Sequence, residues 1–284
     1  MTIKFFFLIS LFGFLSNCSS VPIPLSNSLQ ENRALYPVLW TQKSPEHTLL
    51  FLQTYKMAKN QLHSFLQTHK KTKQSKESKE SKESKESKKP LAIVLDLDET
   101  VLDNSPYQAY LIQQNEQFST ETWKEWIKTQ DSSLLPGSKE FIEWANQKVA
   151  VFFISDRPEE TLEDTWKTLV SKGLKSVSKS QILLRPSQGS FSEKSKQHRR
   201  KSIEKTHFLV LLLGDSLLDF VEKFDEMDQI NKEFGKRYII FPNVFYGNWV
   251  TDSLGPGPIM GNKISEDQKN FLYWKTLKTF KRKK

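Results

Sequence analysis

The residues best placed for chemistry in this sequence are carboxylates that follow short apolar runs. Asp96-Leu97-Asp98-Glu99-Thr100 closes the run that starts at Leu91. Ser155-Asp156-Arg157 follows Val149–Ile154. Gly214-Asp215-Ser216 follows Phe208–Leu213, with Asp219 one helical turn further on, and a basic run from Lys194 to Lys201 precedes it. If Asp96, Asp98 and Asp215 converge, their like charges are costly unless a cation neutralises them. Carboxylate oxygens without His or Cys suit Mg²⁺. Ser155 and a lysine of the basic run are the donors an anionic phosphate requires. The combination specifies metal-assisted phosphoryl transfer. Acids that merely cap helices would account for Asp215-Ser216 alone, but not for a series placed after one run after another.

The runs must be the strands that position these groups. Leu91–Leu97, Val149–Ile154, Gln181–Leu184, Phe208–Leu213 and Tyr238–Phe241 are short, apolar and rich in branched residues, as buried parallel strands are. Helical patterns lie between them. Pro158–Lys172 carries Leu162, Trp166, Leu169 and Val170 on one side and stops at Gly173, and Leu217–Phe234 stops at Gly235. The alternation predicts an α/β fold of three layers, a parallel sheet with helices on both faces. In such a sheet the ligand sits beyond the carboxyl ends of the strands, and strand alternation puts Asp96 and Asp98 on one side.

Outside this core the chain divides by composition. Ser44-Pro45-Glu46 is a helix start, followed by an apolar stripe from Leu49 to about His69. Residues 71–90 repeat Ser-Lys-Glu and cannot bury surface, so they read as a solvated linker. Residues 70–89 carry a net charge of +5 and residues 275–284 a net +6, against +9 for the whole chain. The remainder is therefore slightly acidic, which does not suit a nucleic-acid binder. With 37% apolar residues in 284, the composition excludes global disorder and a multi-pass membrane protein. The single cysteine excludes a disulfide framework and a Cys-based zinc site.

The first residues are an address. Lys4 precedes the apolar run Phe5–Leu15, which is too short to span a bilayer and reads as an export signal. Cys18 follows in Leu15-Ser16-Asn17-Cys18, which resembles a bacterial lipobox except for Asn17. The reading is a lipoprotein signal over 1–17, lipidation at Cys18, and a tether over 18–43. Ser19, in that resemblance, directs the protein to the outer membrane. The alternative is an ordinary cleaved signal.

The stretch Val94-Leu95-Asp96-Leu97-Asp98-Glu99-Thr100-Val101-Leu102-Asp103-Asn104-Ser105-Pro106-Tyr107 is specific, as are Leu213-Gly214-Asp215 with Asp219-Phe220, and Phe241-Pro242-Asn243 with Tyr246-Gly247-Asn248-Trp249. On these, residues 36–275 resemble the haloacid-dehalogenase-like (HAD-like) phosphohydrolases, and among them the bacterial class C acid phosphatases, a group of lipoprotein 5′-nucleotidases. The resemblance implies a Rossmann-like HAD domain over 91–284 with a small, mainly helical cap-like insertion over 104–136. It implies that Asp96 attacks phosphorus to form an aspartyl-phosphate and that Asp98 is the general acid and base. It implies Mg²⁺ held by Asp96, the backbone carbonyl of Asp98 and Asp215, with Asp219 orienting a metal-bound water. Ser155 and a lysine bind the phosphoryl oxygens; the family's spacing to an arginine selects Lys196, ahead of Arg199, over Lys194. Ser216, Leu218 and Asp156 depart from the commoner residues, and Asp156 adds negative charge that Arg157 could neutralise.

Trp123 and Tyr246 are the pair that the resemblance implies for stacking on a base or nicotinamide ring. The competing reading makes the aromatics core residues, since Trp123 and Trp126 share a helical face with Ile127. The expected substrate is a nucleoside monophosphate or a similar aromatic monophosphate, hydrolysed at the cell envelope by a lipid-anchored enzyme. The alternatives are a phosphatase without nucleotide preference and a non-catalytic surface lipoprotein that captures a ligand or haem. The oligomeric state stays open.

Overall fold

The computed structural model describes residues 35–77, 89–190, 195–222, 231–247 and 249–250. The signal segment, Cys18, most of the Ser-Lys-Glu linker, Lys194, Asn248 and the basic tail lie outside them.

Five parallel strands form the sheet: β1 (Leu91–Leu95), β4 (Ala150–Pro158), β5 (Ile182–Arg185), β6 (Phe208–Gly214) and β7 (Tyr238–Ile240), in the order β5-β4-β1-β6-β7. The chain runs from β1 to one edge and returns to the other side of β1. That reversal leaves a crevice at the carboxyl ends of β1 and its neighbours. Each expected strand is present, to within a few residues at its ends.

Helices cover both faces. The helix α2 (Pro45–Glu77) and α5 (Ser138–Asn146) pack on one face, and α7 (Lys196–Glu204) on the other. The pleat sorts β1 accordingly. Ile93 and Leu95 share a buried cluster with Phe51 and Tyr55 of α2 and Phe141 of α5, while Ala92 and Val94 join Ile203 of α7. Burying a side chain such as Phe51 contributes about 2–3 kcal/mol. Asp96 continues the second series and so faces α7.

The insertion after β1 holds the pair β2 (Leu102–Asp103) and β3 (Ser133–Leu134), antiparallel, with α3 (Ser105–Gln114) and α4 (Thr120–Thr129) between them. The expected mainly helical cap-like region is this unit. Its small core is Tyr107, Leu111, Trp123 and Ile127. The other expected helix after β4 is a 3₁₀ turn at Glu159–Thr161 followed by α6 (Leu162–Ser171).

Three local expectations differ from the structure. Residues 35–43 of the expected tether form α1 (Leu35–Lys43), in which Val38 is buried and Trp40 meets the ring of His47 edge-on at 5.1 Å. The helix α2 passes His69 to Glu77 because Lys, Gln and Glu propagate a helix with nothing to bury. The helix expected over 217–234 begins only as a 3₁₀ turn at Leu217–Asp219. The Asp219 carboxylate turns back to accept the Ser216 N–H at 2.9 Å, which tightens the turn. Residues 223–230 lie outside the described residues. No described helix is long and apolar enough to cross a membrane.

Candidate active site

The crevice is built from four segments. Asp96 lies just past β1, its N–H donating to Leu213 O at 2.8 Å, so the ends of β1 and β6 are tied together. Asp215 follows β6, and Asp219 closes the turn after it. Gly214 is required there, because a Cβ would stand 2.2 Å from Asp219 Oδ2. Oxygens of Asp96, Asp215 and Asp219 all lie within 4.8 Å of one another.

Lys196, at the start of α7, enters this cluster with Nζ 2.8 Å from Asp96 Oδ1 and 2.6 Å from Asp219 Oδ1. Its contact with Asp96 is an ion pair without hydrogen-bond geometry, and Asp96 Oδ1 is buried with no donor. Asp215 is oriented by Thr100 Oγ1, which donates to Oδ1 at 3.2 Å, and by Asn243 Nδ2, which donates to Oδ2 at 2.8 Å.

Burial pushes the Asp96 carboxyl well above the usual range, against the opposing pull of Lys196. Burial and the charge of Asp219 raise Asp215 to about 6. Burial alone would lower the Lys196 ammonium, but Asp219 and Asp96 outweigh it and hold it well above the ordinary lysine value. The acids are thus crowded beyond what one lysine offsets. The donor set contains carboxylates and neither His nor Cys, and these residues fit a hard divalent cation.

Asp98 stands apart from that group. Its carboxylate takes Arg157 Nε at 2.9 Å and Nη2 at 2.8 Å on Oδ1, and Ser155 Oγ at 3.0 Å on Oδ2. Asn104 Nδ2 donates to Oδ1 at 3.0 Å. Asn104 is itself fixed, since its Oδ1 accepts from Trp126 Nε1 at 2.9 Å and Ser132 Oγ at 3.0 Å. The Ser155 hydroxyl, expected on a phosphoryl oxygen, is here directed at Asp98 and also accepts the Arg157 N–H at 3.1 Å.

It is not Arg157 that neutralises Asp156. Successive side chains on β4 point to opposite sides. Arg157 is 1% exposed and turns with Ser155 toward Asp98. Arg199 takes Asp156 instead, Nη2 to Oδ1 at 2.5 Å, and donates to Ser155 O at 2.5 Å. Burial would raise the Asp156 carboxyl, but Lys196 and Arg199 hold it below the ordinary value.

The two expected stacking residues are placed differently. Trp123 is 9% exposed, 5.1 Å from the ring of Tyr107, with the Arg157 guanidinium 5.7 Å from its centroid. Tyr246 is 37% exposed and anchors its hydroxyl on Glu99 Oε2. No direct ring contact joins them among the described residues, and Trp123 belongs to the small buried core of the insertion with Tyr107, Leu111 and Ile127.

The sequence reading left several residues without a role: Asn104 beside Asp98, Thr100 and Asn243 around Asp215, and Glu99 under Tyr246; it set Arg157 against Asp156 rather than Asp98. All five lie in the motifs quoted above, so their spacing was visible but their partners were not.

A parallel sheet with an acidic, cation-ready cluster and a lysine at its carboxyl edge defines a phosphoryl-transfer site. Residues 27–249 match the model of the HAD superfamily, subfamily IIIB (acid phosphatase). The structure superimposes on the class C acid phosphatase from Bacillus anthracis with a TM-score of 0.72 and 31% identity, covering 88% of this chain and 99% of that chain. A second structure of that enzyme, described with tungstate bound, matches with the same values. The chain belongs to the HAD subfamily IIIB acid phosphatases, and is a hydrolase of phosphoric monoesters.

Proposed function

We propose that this chain is a Mg²⁺-dependent phosphomonoesterase that hydrolyses nucleoside monophosphates, or similar aromatic monophosphates, through an aspartyl-phosphate at the cell envelope. The observation that carries the reading is Asp96: it lies at the carboxyl end of β1, faces Lys196 at 2.8 Å, and shares its site with Asp215 and Asp219.

Asp96 and Asp215, with the Asp98 carbonyl expected from the family resemblance, would hold the cation, and Asp219, whose oxygen lies within 4.8 Å of theirs, would orient a water beside it. Bound there, the cation would neutralise carboxylate charge and polarise the phosphoryl group. The Asp96 carboxylate attacks phosphorus and the ester P–O bond breaks. Asp98, held in place by Arg157 and Asn104, gives its proton to the leaving oxygen. It then takes a proton from the water that cleaves the aspartyl-phosphate, and inorganic phosphate leaves. Lys196 stands where a phosphoryl oxygen would replace its contact with Asp219, which offsets charge as it develops. Ser155 would turn its hydroxyl from Asp98 to the same group. A relative is described with tungstate bound, and a tetrahedral oxyanion of that kind is what a phosphoryl-binding enzyme would take.

The nucleotide preference rests on the half-exposed ring of Tyr246 at the mouth, with Trp123 behind Arg157 as the second wall. The envelope location rests on the Phe5–Leu15 run and Cys18. Phosphate release from AMP, NMN and p-nitrophenyl phosphate, with Mg²⁺ and with EDTA, tests the activity on the chain from Ser19 onward. Mg²⁺-dependent turnover favouring the nucleotides is expected. Turnover without preference would leave a general phosphatase, and no turnover from folded protein would end the catalytic reading. Palmitate labelling of wild type against Cys18→Ser tests the anchor; equal label in both would refute it.

A further inference from the structure

A cavity of about 270 Å³ lies between the α1–α2 corner, the β2–β3 pair and the start of α3. His47 and Thr48 line it from the helical corner, Asp103 from the end of β2, Ser105 from the start of α3, and Leu134 and Pro136 from the apolar side. None of the residues that hold the cation or the phosphoryl group in the proposed mechanism lines it.

Its polar groups are incompletely used. Ser105 is fully buried, and its hydroxyl has no hydrogen-bond partner. A buried hydroxyl left unpaired costs about 1–3 kcal/mol. His47 is 5% exposed, wedged between Trp40 and Phe51, and no hydrogen bond from its ring is present among the described residues. Burial lowers its pKa, so at neutral pH the ring is uncharged and one nitrogen offers a lone pair. Asp103 accepts the Ser105 N–H on Oδ1 at 2.8 Å, and its second oxygen accepts nothing among the described residues.

The charge of the lining decides what fits. It holds one carboxylate and no Lys or Arg. The start of α3 does not offer an anion site either. Its Ser105 N–H is taken by Asp103, Pro106 has none, and the Tyr107 N–H is bonded to Asn104 O at 3.0 Å. An anionic phosphomonoester is therefore excluded, whereas a donor-rich cation finds three acceptors beside an apolar wall.

We propose that this cavity binds a small organic ammonium ion, whose N–H groups donate to Asp103, Ser105 and His47 while its carbon chain lies against Leu134 and Pro136. Asp103 and Ser105 flank Asn104, which holds Asp98 at 3.0 Å, so the site adjoins the catalytic loop without being part of it.

The test is a titration of the full-length chain, labelled with ¹⁵N-histidine, with n-butylammonium, n-butanol and butyrate. The imidazole signal that disappears in His47→Gln identifies His47. A saturable shift of that signal is expected with n-butylammonium only, at a Kd on the order of 1 mM. Asp103→Asn is expected to weaken binding roughly tenfold, because a charge-assisted contact is lost. Ser105→Ala is expected to weaken it several-fold without lowering the unliganded Tm, since the hydroxyl has no partner to lose. No saturable shift, or equal responses to the alcohol or the carboxylate, would overturn the proposal. So would wild-type affinity in Asp103→Asn; should that variant not fold, the comparison of the three probes on the wild-type chain decides.

Discussion

The Arg157 guanidinium grips the Asp98 carboxylate with two nitrogens, Nε at 2.9 Å and Nη2 at 2.8 Å from Oδ1, and is itself 1% exposed. A fully buried cation so placed fixes the rotamer of the group proposed to protonate the leaving oxygen. It is also costly to bury, and removing either partner leaves the other uncompensated.

Arg157→Gln is therefore expected to lower stability by about 3–5 kcal/mol. Arg157→Lys keeps the charge but loses the fork, and is expected to lower kcat about 100-fold with a smaller change in KM. Steady-state kinetics and thermal unfolding check both. Wild-type kcat in Arg157→Lys would show that the charge alone suffices.

Lys196→Ala is expected to lower kcat by about 10²–10³, the usual loss when one donor to developing charge is removed. Lys194→Ala is expected to stay within about threefold of wild type, because Lys196 fills the cluster of Asp96 and Asp219. The reverse order of effects would transfer the phosphate-binding role to Lys194.

Gly214→Ala tests the metal site through its support. The new Cβ would stand 2.2–2.4 Å from Asp219 atoms, so that carboxylate must move. The expected result is a loss of about 10–100-fold in Mg²⁺ affinity by calorimetry. Unchanged affinity would remove Asp219 from the site.

Asp215 gives the pH dependence. Its folded pKa, about 6, lies above the ordinary carboxylate value of 3.8, so the cation-free fold binds the proton more tightly than the unfolded chain. Its contribution to stability is full below pH 3.8 and is lost as pH rises through about 6. The swing is on the order of 3 kcal/mol. Mg²⁺ bound as proposed would compete with that proton, so the rise in Tm on adding Mg²⁺ should grow from pH 5 to 7. A Tm increment independent of pH would contradict Asp215 as a ligand.

Much of this was legible in the sequence. Apolar runs of strand length marked the sheet, and the period of two put Asp96 and Asp98 at its edge. The choice of partners was not legible. Arg157 neighbours Asp156 in sequence, yet the pleat turns them apart, and only the packed structure brings Arg199 to Asp156 and Arg157 to Asp98. The Leu35–Lys43 helix was also hidden, because it buries only Val38 among its own residues and shows no clean stripe. The 3₁₀ turn after β6 depended on Asp219 folding back onto Ser216, a tertiary competition that helical spacing does not reveal.

Tyr246 and Glu99 carry the test of the proposed nucleotide preference. Glu99 is buried, sits at φ 56 in the left-handed region, and accepts both the Asn104 N–H at 3.1 Å and the Tyr246 hydroxyl. A β-carbon-bearing residue holds that conformation only when its surroundings over-determine it, at a cost of about 1–3 kcal/mol. The arrangement pins the tyrosine ring at the crevice mouth by its far end. Removing the hydroxyl in Tyr246→Phe keeps a stackable ring but frees it. KM for AMP is then expected to rise about 3–10-fold, with little change for a simple alkyl phosphate, since only the aromatic leaving group uses the ring. Tyr246→Ala should extend the AMP loss to about 1–3 kcal/mol, the range for one base–aromatic stack. Equal losses on both substrates would instead assign Tyr246 to holding the Glu99–Asn104–Asp98 chain, and the preference for nucleotides would have to be sought elsewhere.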